Sequence, residues 1–129
     1  MGIVGTGIDV IEVGRIARAI ERYSDRFVKR VYTPAEVSYC RTRGVPAQHL
    51  AGRFAAKEAV LKALGTGWVG GIRWQDIEVM RGVDGQPTVD LRGAVARRAQ
   101  ELGVNRVFVS ISHTSVLAMA HAIAEADTA

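Results

Sequence analysis

Two carboxylates and a run of cations are the groups in this sequence best suited to chemistry. Asp9 ends an apolar, glycine-rich segment, and Glu58 lies near the apolar stripe of a long helical segment. An isolated charge beside apolar surface is expensive, so each acid needs a partner. One solution is an arginine or a capping role. The other is a hard cation shared by both acids, since magnesium takes one or two carboxylates and completes its shell with water and phosphate oxygens. On a helix, Glu58 and Lys62 are one turn apart on one flank. Lys57 falls in line with Leu50 and Leu61. There it either snorkels along the apolar stripe or faces a phosphate in a cleft. Arg53 adds a positive charge one turn earlier. This set suits a metal–phosphate site, and it also suits a salt-bridged helix.

A second group of cations is more regular. Arg15, Arg18, Arg22 and Arg26 recur at spacings of three, four and four. They form one helical face, which is either a solvated surface or a docking strip for an acidic helix or for nucleic-acid phosphates. Aromatic residues are only 6% of the chain, which argues against base stacking on single strands. The glycine pairs are weak signals. Gly5-Thr6-Gly7 lacks the third glycine of a dinucleotide fingerprint, because position 10 is Val10. Gly65-Thr66-Gly67 follows a helix, where a phosphate loop would precede one, so a helix cap explains it. His49, His113 and His121 lack metal-ligand spacing. His121 falls on an apolar strand face, and His113 ends a strand after Ser110-Ile111-Ser112, where polar groups can line a pocket.

The elements that must position these groups follow from periodicity. Gly2–Asp9 reads as a strand, and Ile11–Phe27 as a helix with Ile16, Ile20, Tyr23 and Phe27 on its apolar side. Thr33-Pro34-Ala35-Glu36 is a capping box that opens a helix running to about Arg43, and Gly44-Val45-Pro46 breaks it. Gln48–Leu64 is an alanine-rich helix closed by Gly65. Asp76–Arg81 and Thr88–Leu91 are short strands around an Asp84-Gly85 turn. Gly93–Leu102 is a helix, and Arg106–His113 and Val116–Glu125 are strands joined by a tight turn. In the last strand Leu117, Met119, His121 and Ile123 face one way and a row of alanines the other. The expected fold is an α+β single domain over residues 1–129, with a mostly antiparallel sheet packed with helices.

Composition sets the class. The chain has 129 residues, 48% apolar and 23% charged, with a formal charge of +4. This is a globular balance that favours acidic or phosphorylated partners. A lone cysteine, Cys40, permits no internal disulfide and suits the cytoplasm. No apolar run reaches the ~20 residues that span a bilayer, and no leader pattern opens the chain, so neither a membrane nor secretion is expected.

Three segments resemble one family: GTGIDVIEVGRI from Gly5 to Ile16, LAGRFAAKEAVLKALGTG from Leu50 to Gly67, and VSISHT from Val109 to Thr114. With the DGQP turn, Asp84–Pro87, they resemble the signature segments of the holo-acyl-carrier-protein synthases, the short class of phosphopantetheinyl transferases. The resemblance covers essentially the whole length. It implies the 4'-phosphopantetheinyl transferase fold and transfer of the phosphopantetheine arm of coenzyme A to a serine of an apo acyl carrier protein in fatty-acid synthesis. It implies Asp9 and Glu58 as magnesium ligands and Lys62 beside the pyrophosphate. Arg53, Lys57, Gly65, Thr66, Gly67 and Pro87 would contact coenzyme A, and His113 would lie near the active site. Glu58, a metal-bound water and His113 are all candidates for the general base. Arg15 would meet the carrier's acidic helix, with Arg18, Arg22 and Arg26 extending the strip. The resemblance also implies a homotrimer with active sites between subunits and no nucleic-acid partner. From the residues alone, a binding module built on the basic helix and an enzyme acting on another pyrophosphate ester remain the alternatives.

Overall fold

The computed structural model describes residues 2–127. β1 (Gly2–Glu12) leads into α1 (Val13–Tyr23), α2 (Asp25–Val31), α3 (Pro34–Arg41) and the long α4 (Pro46–Ala63). A short 3-10 turn over Trp74–Asp76 precedes the hairpin β2 (Ile77–Arg81) and β3 (Pro87–Leu91). α5 (Gly93–Glu101), β4 (Val104–His113) and β5 (Leu117–Ala126) complete the order. β1, β5 and β4 form an antiparallel sheet with β5 in the centre, and β2–β3 is a separate antiparallel pair. The expected α+β fold with antiparallel pairing is what the chain adopts.

α4 lies across all three strands of the main sheet. Small residues allow this close approach. Ala118, Ala120, Ala122 and Ala124 of β5 are buried, as are Ala51, Ala55, Ala56, Ala59 and Ala63 of α4. The β5 alanines therefore pack inside the subunit, under the helix. The opposite face of the sheet presents Ile8, Val10, Phe108, Leu117 and Met119 as exposed apolar side chains. On β1 the residues facing α4 alternate as Gly5, Gly7, Asp9 and Ile11, as strand geometry requires. A Cβ on Gly5 would collide with the carbonyl of Ala63, and one on Gly7 with the carbonyl of Ala59 and with Ala63 N at 2.8 Å. These glycines are there for close approach to the helix rather than for a turn.

Three boundaries differ from the sequence expectation. The helix expected over Ile11–Phe27 is two helices. β1 continues to Glu12 with Ile11 in the core, and the chain kinks at Ser24, which takes φ 49°. The kink turns Val28 and Val31 into the core and leaves Tyr23 exposed, which one straight stripe through Tyr23 and Phe27 would not allow. It also moves Arg26 off the α1 face and onto α2. Pro46 opens α4 at its first position rather than ending the previous segment, since its missing N–H is one the first turn leaves unbonded anyway. The expected caps hold. Thr33 and Glu36 form the reciprocal capping box, and Gly65 closes α4 at φ 65° with Thr66 N bonded to Leu61 O at 3.0 Å.

Lys57 does not snorkel. It is fully buried and donates to Glu36 Oε1 at 2.8 Å, Ile77 O at 2.6 Å and Trp74 O at 3.1 Å. Glu36 in turn accepts from Thr33 N and Val79 N, both at 2.8 Å. Thr33 Oγ1 continues to Glu78, which Arg92 holds at 2.8 Å. This network joins α3, α4, the 3-10 turn and β2, and its side chains are buried except for the half-exposed Arg92 at its rim. Burial pulls the Lys57 ammonium below its ordinary pKa, and the Glu36 carboxylate opposes that pull. Removing one partner of such a pair costs about 3–5 kcal/mol. Lys57→Met is expected to lose stability on that scale in chemical denaturation. Adding Glu36→Gln should recover part of the loss, because it removes the stranded charge while keeping an acceptor for the backbone.

Candidate active site

Asp9 sits where β1 passes beside the last turns of α4. Lys62 Nζ donates to Asp9 Oδ1 at 3.1 Å and to Ile8 O at 2.8 Å. The lysine side chain is 52% exposed and the aspartate 18%, so this pair borders solvent, unlike Lys57 and Glu36. One turn before Lys62, Glu58 is half-buried and accepts a bond from Trp68 Nε1 at 3.1 Å. Burial raises the Glu58 pKa above the usual carboxylate value, and the Asp9 charge adds to the rise. The Trp68 bond and Lys62 pull it down. The two acids therefore share one electrostatic neighbourhood, with Lys62 between β1 and α4. Among the described residues no group of three or more His, Cys, Asp or Glu side chains forms a cage for a metal. Two carboxylates at the edge of solvent fit a hard cation that takes its remaining ligands from water and a phosphorylated substrate.

A second cluster lies in a cavity on another side of α4. Arg53, His113 and Pro87 line it with His49, Arg81 and Tyr39. The Arg53 guanidinium lies 4.3 Å from the centre of the Tyr39 ring, and that of Arg43 lies 4.4 Å from it. The His49 and His113 rings meet edge to face at 5.0 Å. Nε of Arg53 and Nε of Arg43 are buried without a hydrogen-bond partner among the described residues. Burial lowers the His49 pKa, with His113, Arg53, Arg43 and Arg81 adding to the fall. A cavity lined by Arg53, with its unmet Nε–H donor, and by Arg81, His49 and His113 is suited to a multiply charged anion. Glu58 lies five residues after Arg53, a rotation of about 140° along a helix, and no side chain is shared between the two clusters.

The remaining expected residues are distributed around these clusters. Arg15, Arg18 and Arg22 are exposed on α1 and line a shallow cleft with Glu21 and Tyr23. Among the described residues, none of these three arginines forms an ion pair with an acid. Gly65, Thr66 and Gly67 form the end of α4 and lead the chain to Trp68. Lys57 is a correction. Its ammonium has three internal acceptors and no exposure, so it is a structural lysine and not a coenzyme A contact.

Reading the sequence missed Trp68, His49, Arg81 and Arg43. The segment from Trp68 to Trp74 shows no periodicity, yet its indoles pack together with ring centres 3.8 Å apart, and Trp74 stacks on Phe54 of α4 at 4.7 Å. The available signal was the placing of both tryptophans of the chain within one glycine-rich segment. Nothing local marks His49, Arg43 and Arg81 as neighbours, because the cavity is assembled from distant segments.

Comparison with known proteins agrees with this geometry. A family model described as the 4'-phosphopantetheinyl transferase superfamily matches residues 5–123. The holo-[acyl-carrier-protein] synthase of Solibacter usitatus is 54% identical over 95% of this chain and 98% of its own. The crystal structure of the synthase from Neisseria meningitidis superposes with a TM-score of 0.87 at 34% identity, covering 96% of this chain and 99% of that one. The Helicobacter pylori synthase, solved in complex with coenzyme A, superposes with a TM-score of 0.81 at 27% identity, over 93% and 99% of the two chains. The chain belongs to the holo-[acyl-carrier-protein] synthases of the 4'-phosphopantetheinyl transferase superfamily.

Proposed function

We propose that this chain transfers 4'-phosphopantetheine from coenzyme A to a serine of apo acyl carrier protein, serving fatty-acid synthesis in the cytoplasm. The products are holo carrier protein and adenosine 3',5'-bisphosphate. The observation that carries this reading is the joining of Asp9, Glu58 and Lys62 where β1 crosses α4. Asp9 and Glu58 would hold magnesium, which when bound supplies charge neutralisation at the pyrophosphate. Lys62, half exposed beside Asp9, reaches for the same phosphate oxygens and offsets the charge that builds on the leaving group.

The carrier serine oxygen attacks the β-phosphorus. A new phosphorus–oxygen bond forms to the serine as the bond to the adenosine bisphosphate oxygen breaks. Glu58 takes the serine proton, directly or through a water. His113 is paired with His49 in the cationic cavity, which supports a role at a phosphate rather than in that proton transfer. Arg53, His113 and Pro87, with His49 and Arg81, take the 3'-phosphate end of coenzyme A, and Gly65, Thr66 and Gly67 border the pyrophosphate. Arg15, Arg18 and Arg22 receive the carrier's acidic helix. α1 begins four residues after Asp9, so a carrier docked there has its serine near the acids.

The separation of the two clusters around α4 supports a homotrimer. In it, the cationic cavity of one subunit serves the acid pair of a neighbour. The apolar outer face of the sheet, with Ile8, Val10, Phe108, Leu117 and Met119, is the kind of surface such an assembly covers. No helix among the described residues is long and apolar enough to cross a membrane.

Intact-mass spectrometry of apo carrier protein with this chain, coenzyme A and magnesium should show the gain of one phosphopantetheine, lost on chelation. Glu58→Gln should lower kcat by about 10²–10⁴-fold with the melting temperature kept. An unmodified carrier, with coenzyme A still bound, would favour a binding module instead. The cationic cavity makes a separate prediction about pH. A bound phosphate raises the low His49 pKa, so binding takes up a proton and tightens as pH falls. The KM for coenzyme A should drop between pH 8 and 6.5, and the KM for 3'-dephospho-coenzyme A should change much less.

A further inference from the structure

Trp68 lies outside the set of residues that the reaction needs, yet its indole N–H donates to one of the two acids, Glu58 Oε1, at 3.1 Å. It is the only hydrogen-bond donor on that carboxylate among the described residues. The residues that fix it form a closed circuit. Trp68 packs on Trp74 with ring centres 3.8 Å apart and the planes tilted by 35°, and Trp74 stacks on Phe54 at 4.7 Å. Phe54 and Glu58 are one turn apart on α4, so the circuit leaves the helix at one residue and returns to it at the next. The Trp74 carbonyl is tied down from below by the buried Lys57 ammonium at 3.1 Å. The connecting segment contains Gly65, Gly70 and Gly71, all at positive φ, and has few backbone bonds of its own. The aromatic contacts, with the Lys57 bond at Trp74 and the cap bonds at Gly65 and Thr66, hold this glycine-rich segment against α4.

We infer that Trp68 is a positioning residue. As the end of an aromatic strap from Phe54 through Trp74, it holds one oxygen of Glu58 and so presents the other to the divalent cation. This rests on the proposed function, in which Asp9 and Glu58 are the metal ligands. Side chains that hydrogen-bond to metal ligands set the ligand's orientation, and their loss commonly costs about 10–100-fold in metal affinity or activity. A carboxylate free to rotate pays that cost each time the cation binds. The strap differs from the cation itself and from the carrier strip, because it touches neither the phosphate-binding cavity nor α1.

Trp68→Phe keeps an aromatic ring against Trp74 while removing the N–H donor together with the second ring of the indole. Binding of Mn²⁺ in the presence of coenzyme A is read from the spin-resonance signal of free metal. Turnover is then measured across a magnesium series. The expected result is a rise of about tenfold in the Mn²⁺ Kd and a similar rise in the magnesium activation constant. The carrier KM and the melting temperature should stay near those of the unsubstituted chain. A Kd and an activation constant within twofold of the unsubstituted chain would overturn the strap, as would a loss seen only in melting temperature or carrier KM. Asp9→Asn is the control. Metal binding that survives it overturns the ligand assignment and the strap together. Metal binding that needs Asp9 but ignores Trp68→Phe overturns the strap alone.

Discussion

The near-contact between β1 and the backbone of α4 is the constraint on which the site depends. It exists only because Gly5 and Gly7 carry no side chain where the strand crosses Ala59 and Ala63. Two residues further along the same strand face, the side chain is no longer hydrogen but the carboxylate of Asp9. The period of two that brings the glycines to the helix also brings the acid to Glu58 and Lys62. The alanines of β5 extend the same arrangement to the centre of the sheet. Packing small residues under one helix thus sets the distance at which the chemistry operates.

α4 uses two lysines in opposite ways. Lys57 and Lys62 are five residues apart and both meet a carboxylate, but one pair is enclosed and the other borders water. The enclosed pair has every polar atom directed to a backbone or side-chain partner, and it locks the hairpin and the 3-10 turn to the helix. The open pair, with its lysine half exposed, is the one that the proposed function has exchanging its partner for a phosphate. Rigidity on one side of the helix and availability on the other are what a site that must hold a flexible substrate requires.

Much of this was legible in the sequence. The caps at Thr33 and Gly65, the alanine face of the last strand and the pattern of the two acids follow from local chemistry and periodicity. The resemblance of three segments to one family supplied the rest of the site. The division at Ser24 was not legible, because the apolar spacing through Tyr23 and Phe27 is compatible with one helix and only the core decides between them. Lys57 was misassigned for a related reason. A lysine on an apolar stripe looks the same whether it reaches outward or finds an internal carboxylate, and Glu36 lies on a different element. The cationic cavity and the aromatic strap depend on contacts between distant segments, which no local window contains.

The placing of β5 between β1 and β4 has a consequence for how the protein is made. Every partner of β1 lies in β5, more than a hundred residues later in the chain. During synthesis β1 therefore emerges with no strand to pair with, and its backbone hydrogen-bonding groups must wait until nearly all of the described chain has been produced. Closing so long a loop is slow and leaves an open edge prone to wrong pairing in the meantime. The acids cannot be set in their final register before that last strand arrives. A nascent or truncated chain thus lacks the sheet that positions Asp9, and the proposed site is complete only when β5 has paired.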